Sequence, residues 1–234
     1  MMGRKIMGET GIKPIVIEEI CDLAKKYNVK KVILFGSRAR GSFKEKSDID
    51  LAVQGGNFVH FMLDVNEETS TLLCFNIINL DEEIQSELRD SIKKEGKTIY
   101  MKKFEHFKSN LKVLVTAENE DLSNEFIVGG IIDKFFVQFE LGWKVLKELL
   151  SYEGQSISAT GSPKMILKTA YTIFDFIDED IWLGMLKSRN DLTHIYDESS
   201  ARRLVGVILK DYIPAFVKMQ KGIEEYYGIE LENI

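Results

Sequence analysis

The stretch Gly36–Asp50, GSRARGSFKEKSDID, places a small-residue turn and two arginines a short loop before an Asp-x-Asp pair. Apolar residues precede the turn in VILF and follow the first aspartate in IDLAV, which predicts a strand on each side. Side chains alternate along a strand, so Asp48 and Asp50 are expected on one face. The stretch therefore predicts two strands joined by a turn, a short helix from Arg38 and a loop, with two carboxylates where the second strand starts.

The residue types of this stretch suit a phosphate chain and its metal ion. Two carboxylates on one face match the oxygen ligands that Mg2+ (or Mn2+) prefers. Gly36 permits a close backbone approach at the turn, and Ser37 offers a hydroxyl and an N–H near a helix N-terminus, where phosphates bind well. Arg38 and Arg40 add positive charge, although only one of them needs to face the site. The alternative is structural: a glycine turn, solvated arginines and an Asp-capped loop.

The rest of the chain divides into a mixed part and a helical part. Before Lys102 the pattern predicts helices over 15–27 and 81–94, a third strand in LLCFNIINL (72–80) and a short strand or exit segment at TIYM (98–101). After it, helical patterns cover 104–119, 126–150, 164–176, 180–194 and 201–227, the last bent at Pro214. The predicted fold class is α/β, a mixed-sheet domain over residues 1–102, followed by an all-α helical bundle over 103–234.

Composition limits the classes of function. The chain has 234 residues and a formal charge of −6; residues 1–102 carry 16 basic and 16 acidic residues, and the remainder carries 15 and 21. This balance excludes a broad nucleic-acid footprint on the second half, although it allows a local basic patch. No apolar run approaches a membrane span, no secretory signal is recognised, and Cys21 and Cys74 have no metal-like spacing. We expect a cytoplasmic protein without a membrane partner.

The combination Gly36-Ser37-x10-Asp48-x-Asp50 resembles the signature of minimal nucleotidyltransferase (MNT) domains of the DNA polymerase β-like superfamily, over roughly residues 15–100. The resemblance implies a nucleoside triphosphate substrate, Mg2+ or Mn2+ at Asp48 and Asp50, and phosphate contacts from Gly36 and Ser37. That family usually has a third aspartate on a later strand. Here FNIINL puts Asn76 at the third ligand position, and an amide is a weaker, neutral ligand that cannot act as a base.

The helical half carries a second motif, Arg189-x4-His194-x-Tyr196 in RNDLTHIY. It is similar to the signature of HEPN ribonucleases, and the surrounding helices resemble the nucleotidyltransferase substrate-binding domain of the same group, over about residues 104–227. In paired toxin-antitoxin systems of this type the MNT protein adds AMP to a toxin tyrosine. The resemblance implies Arg189 and His194 as a ribonuclease centre that would take RNA, and Tyr196 as the modified acceptor.

These observations lead to several hypotheses. The first is an Mg2+-dependent nucleotidyltransferase that moves AMP from ATP to a protein hydroxyl or another hydroxyl, with its own helical domain as partner in cis. The alternatives are a catalytically weakened nucleotide-binding module that controls a HEPN ribonuclease domain, and a small-molecule transferase of the antibiotic-modifying type.

Arg189 and His194 are about 140° apart on a helix, so both reach one centre only if the helix ends early or a second subunit contributes. We therefore also expect a homodimer or higher oligomer.

Overall fold

The computed structural model describes residues 10–155, 161–191 and 198–227, and these form two compact units. The described residues of the first unit are 10–102 together with 223–227, and the second unit consists of 103–222. The predicted boundary also falls after Lys102, but it places the end of the chain with the helical part. Each unit has a core of its own, so each is described separately.

The first unit alternates helices and strands. Its helices are α1 (Pro14–Lys26), α2 (Gly36–Arg40), α3 (Phe58–Glu68) and α4 (Ser86–Glu95). Its strands are β1 (Lys31–Phe35), β2 (Ile49–Gln54), β3 (Phe75–Asn79) and β4 (Lys97–Met101). The mixed α/β class expected from the sequence is confirmed.

The four strands form one mixed sheet in the order β3-β2-β1-β4. β1 is antiparallel to both β2 and β4, whereas β2 and β3 run parallel. Parallel neighbours require a crossover connection, and α3 supplies it between β2 and β3. The crossover brings the starts of β2 and β3 to the same edge of the sheet, beside the end of β1.

Helices cover both faces of this sheet. On one face, buried residues of α1 and α3, among them Ile20 and Phe61, pack against Leu34 and Leu51. On the opposite face, Ile92 of α4 packs with Ile33, Phe35 and Ala52. Both faces of the sheet are buried under helices, and this explains why β1 and the part of β2 after Asp50 are almost continuously apolar in the sequence.

Two features of the first unit differ from the sequence prediction. No helix was predicted over Phe58–Glu68; only Phe61 and Val65 of α3 are buried, while Val59 and Leu63 are exposed, so the helical pattern is weak. The helix predicted from Asp81 begins at Ser86 instead, because the preceding residues form a turn. In that turn Asp81 accepts a hydrogen bond from the Gly55 N–H (2.6 Å) and donates its own N–H to Asn79 Oδ1 (3.0 Å).

The second unit is helical throughout its described part. It contains α5 (Lys102–Val115, assigned to this unit from Lys103), a 3-10 turn (Thr116–Asn119), α6 (Glu125–Tyr152), α7 (Pro163–Ile173), α8 (Glu179–Asn190), α9 (Glu198–Val207) and most of α10 (Ile213–Tyr227). Side-chain caps mark several starts: Asn124 caps α6, Ser162 caps α7 and Asp178 caps α8. The predicted all-α second half is thus confirmed.

Aromatic side chains fill the core of the second unit. Trp182 of α8 stands edge-on to Phe216 of α10, with ring centroids 5.6 Å apart, and lies 6.2 Å from Phe139 of α6. The fully buried Gln138 is satisfied inside this core, because it donates to the Phe107 carbonyl (3.2 Å) and accepts from Asn110 (2.7 Å). These contacts fix the helices around α6.

A π-helical segment, Ile208–Tyr212, separates α9 from α10. Pro214, where a bend was predicted, follows it closely. Proline has no N–H, so the carbonyl four residues earlier, that of Lys210, cannot receive the usual α-helical hydrogen bond. A wider π turn next to a proline is one way to accommodate that loss.

Across the described ranges, no helix has the length and hydropathy needed to cross a membrane.

Candidate active site at the start of strand β2

The sheet register brings Asp50 to the meeting point of three strands. Asp50 lies opposite Phe35, the last residue of β1, and opposite Asn76 of β3. Asp48 directly precedes β2, and the alternation of the strand, extended by one residue, predicts the same side for it as for Asp50. Asp48 is exposed and Asp50 is half-buried, so both carboxylates are accessible at this edge.

Gly36 lies directly against the Asp50 carboxylate. Its φ is +71°, and a Cβ built on it would lie 2.1 Å from Asp50 Oδ2. Only glycine combines this backbone conformation with this space. The close approach expected at the turn is therefore an approach to a carboxylate, and it brings the Gly-Ser turn against Asp50, one member of the acidic pair. Ser37, in the first turn of α2, is half-buried beside it.

Asn76 contacts the same carboxylate from the neighbouring strand. Its Nδ2 donates a hydrogen bond to Asp50 Oδ1 (3.1 Å). The two oxygens of Asp50 thus have different surroundings: Oδ1 accepts from the amide, and Oδ2 faces Gly36. Asn76 is the residue at which the resemblance expects a third ligand, and that role stays a prediction.

Two other acids of the described residues that stand near β3 in the sequence lie away from this site. Asp81 lies beyond the far end of β3 and accepts from Gly55, and Asp64 lies on α3, where Lys26 donates to it (2.7 Å). Within the part of the chain that the structure describes, no group of three or more His, Cys, Asp or Glu side chains is arranged to hold a metal ion. The donor set at the sheet edge is therefore two carboxylates and one amide.

Arg38 has a different position from the one expected. We predicted that it adds charge to a phosphate site, but the side chain is fully buried. Its guanidinium donates to the carbonyls of Ser47 (2.7 and 3.0 Å), Glu45 (3.2 Å) and Thr10 (3.0 Å) and stacks near the Phe43 ring. The donors of Arg38 are thus directed to the loop that leads to Asp48 and to Thr10, and the burial of the side chain does not favour the phosphate contact that was predicted for it.

Arg40 remains accessible but has a partner. Its Nη1 lies 2.9 Å from Glu95 Oε2 of α4, and its side chain is 45% exposed. An exposed ion pair of this kind contributes little stability and exchanges readily, so Arg40 can still turn towards an anion.

In the helical unit, Arg189 lies in the last turn of α8 and pairs with Glu140 of α6 (Nη2 to Oε1, 3.0 Å). The helix ends at Asn190, before the histidine of the motif. His194 and Tyr196 lie outside the described residues, so the predicted ribonuclease centre and acceptor stay predictions.

Two clusters of ionisable groups were not predicted from the sequence. Lys26, the last residue of α1, and Tyr27, which follows it, both donate to Asp64 of α3, and this lowers the pKa of Asp64 and raises the pKa of both donors. In the second unit, burial raises the pKa of Tyr212, whose hydroxyl lies 3.0 Å from Ser188 Oγ. Neither cluster has a spacing signal in the sequence, because each depends on helix packing.

Similarity to known proteins was found for both units. Two Methanocaldococcus jannaschii proteins, provisionally assigned as protein adenylyltransferases, are 40% identical over 58 residues and 46% identical over 55 residues. These alignments cover 24% and 23% of this chain and 56% and 62% of the relatives. The chain therefore spans less than two thirds of the length of these relatives.

A crystal structure titled as a mutant of the toxin-antitoxin MntA-HpeT aligns with 36% of this chain and 73% of its own. The sequence identity is 17% and the TM-score is 0.30, and a similarity at that level does not support an inference about fold or function.

Residues 18–105 match the family described as polymerase beta, nucleotidyltransferase, and this match together with the two relatives supports a nucleotidyltransferase. Residues 100–225, more than half of the chain, match the family described as nucleotidyltransferase substrate binding protein like. The first match covers the mixed sheet, and the second covers the helices. The chain therefore belongs to the nucleotidyltransferase substrate binding protein like family, and a polymerase beta type nucleotidyltransferase domain precedes its helical part.

Proposed function

We propose that the protein is an Mg2+-dependent nucleotidyltransferase that moves AMP from ATP to a hydroxyl group, with the helical unit presenting or containing the acceptor. The observation that carries this proposal is the contact between Gly36 and Asp50: the Gly-Ser turn and the acidic pair form one accessible site at a sheet edge. The family match over residues 18–105 and the two adenylyltransferase relatives support the same reaction class.

The donor set fits a divalent ion of the magnesium type. Asp48 and Asp50 provide accessible carboxylate oxygens, and such ions complete their shell with water and phosphate oxygens. When bound, the ion would neutralise charge on the triphosphate as pyrophosphate leaves. The amide of Asn76 does not prevent this, because Asp50 Oδ1 keeps a second lone pair and Oδ2 has no such donor from Asn76.

The chain's own residues would place the triphosphate. The absence of a side chain at Gly36 leaves the backbone open beside Asp50, and Ser37 offers its N–H and hydroxyl there. Arg40, once released from Glu95, would add a positive charge. In the reaction the acceptor oxygen bonds to the α-phosphorus, the bond from that phosphorus to the α,β-bridging oxygen breaks, and the acceptor loses its proton as pyrophosphate departs.

A second candidate is a nucleotide-binding module without efficient catalysis. The observation in its favour is the Asn76–Asp50 hydrogen bond at the position of a third carboxylate. Such a module would bind ATP and act on the helical unit, which by its Arg189-x4-His194-x-Tyr196 motif would be a HEPN-type toxin partner in cis. Arg189 and His194 are then the proposed ribonuclease residues.

Pyrophosphate release separates these two candidates. Purified full-length protein with ATP and Mg2+ is compared with Asp48→Ala and with the control Asp90→Ala, which removes an exposed carboxylate of α4. Release by wild type and Asp90→Ala but not by Asp48→Ala supports the transferase. Retained ATP binding, measured by thermal shift, with no release above Asp48→Ala supports the module.

The acceptor is tested by intact mass after the same incubation. A gain of one AMP unit that Tyr196→Phe abolishes identifies Tyr196 as the acceptor. The matched control is Tyr171→Phe, since Tyr171 is 50% exposed on α7. If pyrophosphate release instead requires an added small hydroxyl compound and the protein mass stays unchanged, a small-molecule transferase replaces this proposal.

A further inference from the structure

The first unit contains a buried cation that the proposed chemistry does not use. Arg38 is fully buried, and its guanidinium donates to backbone carbonyls rather than to a carboxylate of the described residues. We propose that Arg38 is a positioning residue for Asp48, acting through the backbone of the preceding residue, Ser47. This inference rests on the proposed function, because it concerns the metal-binding geometry of that site.

Two nitrogens of the guanidinium donate hydrogen bonds to the same backbone oxygen, the Ser47 carbonyl. Arg38 Nε and Nη2 donate to the Ser47 carbonyl at 3.0 and 2.7 Å, and Nη2 also reaches the Glu45 carbonyl at 3.2 Å. The Ser47 carbonyl belongs to the planar peptide group that ends at the Cα of Asp48. Fixing that oxygen therefore fixes where the Asp48 side chain begins.

The loop around Ser47 is also closed on itself. The Ser47 N–H donates to the Lys44 carbonyl (2.9 Å), and the Lys44 N–H donates to Ser47 Oγ (2.9 Å). Asp48 itself is exposed and has little packing of its own. Its position is thus set by this small turn and by the arginine that holds the turn.

Further contacts fix the position of the Arg38 guanidinium itself. Nη1 donates to the Thr10 carbonyl (3.0 Å), and the Phe43 ring lies over the guanidinium at 5.1 Å. Gly11, with φ of +63°, passes so close that a Cβ there would meet the Phe43 ring at 2.3 Å. The segment before α1 therefore braces Arg38 from the side away from Ser47.

The energetic reason is the charge. A buried guanidinium without a carboxylate is stable only if its N–H groups are satisfied by oriented carbonyls. If the loop moved, those donors would lose their partners inside the protein, which is unfavourable. The buried charge therefore opposes displacement of the loop and keeps Asp48 ready for the metal ion.

The test is a double-mutant cycle on metal binding. Mn2+ affinity is measured by EPR with a non-hydrolysable ATP analogue, for wild type, Arg38→Lys, Asp48→Asn and the double variant. Lysine keeps the charge but lacks the fork, so Arg38→Lys is expected to weaken Mn2+ binding by about tenfold, as is typical of groups that orient metal ligands. In the Asp48→Asn background the same change should have less than about a twofold effect, because the group that it positions is already lost.

Arg89→Lys, an exposed arginine of α4, is the control and should leave Mn2+ affinity unchanged. If Arg38→Lys does not fold, Phe43→Leu removes the ring over the guanidinium and should weaken Mn2+ binding in the same direction, again only when Asp48 is present. Equal effects of Arg38→Lys, or of Phe43→Leu, with and without Asp48 would overturn the proposal, as would an unchanged affinity in a folded variant.

This result is separable from the proposed reaction. Coupling between Arg38 and Asp48 without pyrophosphate release would support the positioning role and reject the transferase. Pyrophosphate release without that coupling would do the reverse.

Discussion

Gly36 is the residue on which the proposed site depends most directly, because a side chain there would occupy the place of the Asp50 carboxylate. We expect Gly36→Ala to lower the free energy of unfolding by about 1–3 kcal/mol, since a positive φ is strained for alanine, and to reduce pyrophosphate release severely. Urea unfolding and the release assay measure the two effects.

Gly41→Ala is the matched control for this change. Gly41 also has a positive φ (+74°), but a Cβ there would meet nothing within 4 Å. It should lose similar stability and keep its activity. Equal activity losses in the two variants would show that strain, rather than the contact with Asp50, is responsible.

Asn76 gives a prediction in which a substitution raises the rate of pyrophosphate release instead of lowering it. Asn76→Asp would place a carboxylate where the amide now donates to Asp50, so the metal-free protein should lose stability through like-charge repulsion. Added Mg2+ should restore that stability and raise the rate of pyrophosphate release above wild type. Thermal unfolding with and without Mg2+ measures this, and Asn66→Asp on the exposed side of α3 should show neither effect.

For single residues, the sequence predicted that the Gly36 turn and Asp50 lie close together, because strand alternation and turn chemistry are local properties. It did not predict the burial of Arg38, for a physical reason. Whether a long cationic side chain reaches solvent or folds back depends on carbonyls elsewhere in the chain, here those of Thr10 and Ser47. Phe43, an aromatic residue in a polar loop, was the one local sign that something in this stretch is buried.

Among the elements, a charged contact joins the end of α1 to the middle of α3. Asp64 accepts from Lys26 and from Tyr27, and these hydrogen bonds hold the pKa of Asp64 below its ordinary value of 3.8. A carboxyl group whose pKa is lower in the folded state adds stability above its unfolded pKa and loses it as the pH falls through its folded pKa.

We therefore expect the stability difference between wild type and Asp64→Asn to be largest near neutral pH and to shrink below about pH 4. Urea unfolding from pH 7 to pH 3 measures it. Asp90→Asn serves as the comparison, and a difference that stays constant across this range for Asp64→Asn would contradict the prediction.

The strands and most helices follow their sequence periodicity, and the exceptions are instructive. α3 was missed because it buries only two residues, yet it is required by the parallel pairing of β2 and β3. The late start of α4 reflects tertiary hydrogen bonding by Asp81, which local propensity does not contain.

For the molecule as a whole, charge is distributed unequally along the chain. Residues 103–234 carry 15 basic and 21 acidic residues, which opposes binding of a polyanion. We expect the full chain to bind a single-stranded RNA oligonucleotide with a Kd weaker than about 1 μM near physiological salt, as for non-specific contacts. Fluorescence anisotropy over a salt series measures this.

Tight RNA binding with a steep salt dependence would contradict that expectation and favour the ribonuclease hypothesis, as would RNA cleavage that His194→Ala abolishes. The predicted oligomer stays a prediction, and light scattering of the full chain tests it.

The π turn at Ile208–Tyr212 has a consequence for insertions and deletions. A single turn of this kind holds roughly one residue more than an α turn, so it rotates everything after it by about 100° relative to an uninterrupted helix. Phe216 and Met219, which follow the turn, are fully buried. Removing one residue from the turn would straighten the helix yet swing these two side chains towards water, so the length of this segment is constrained more tightly than its composition.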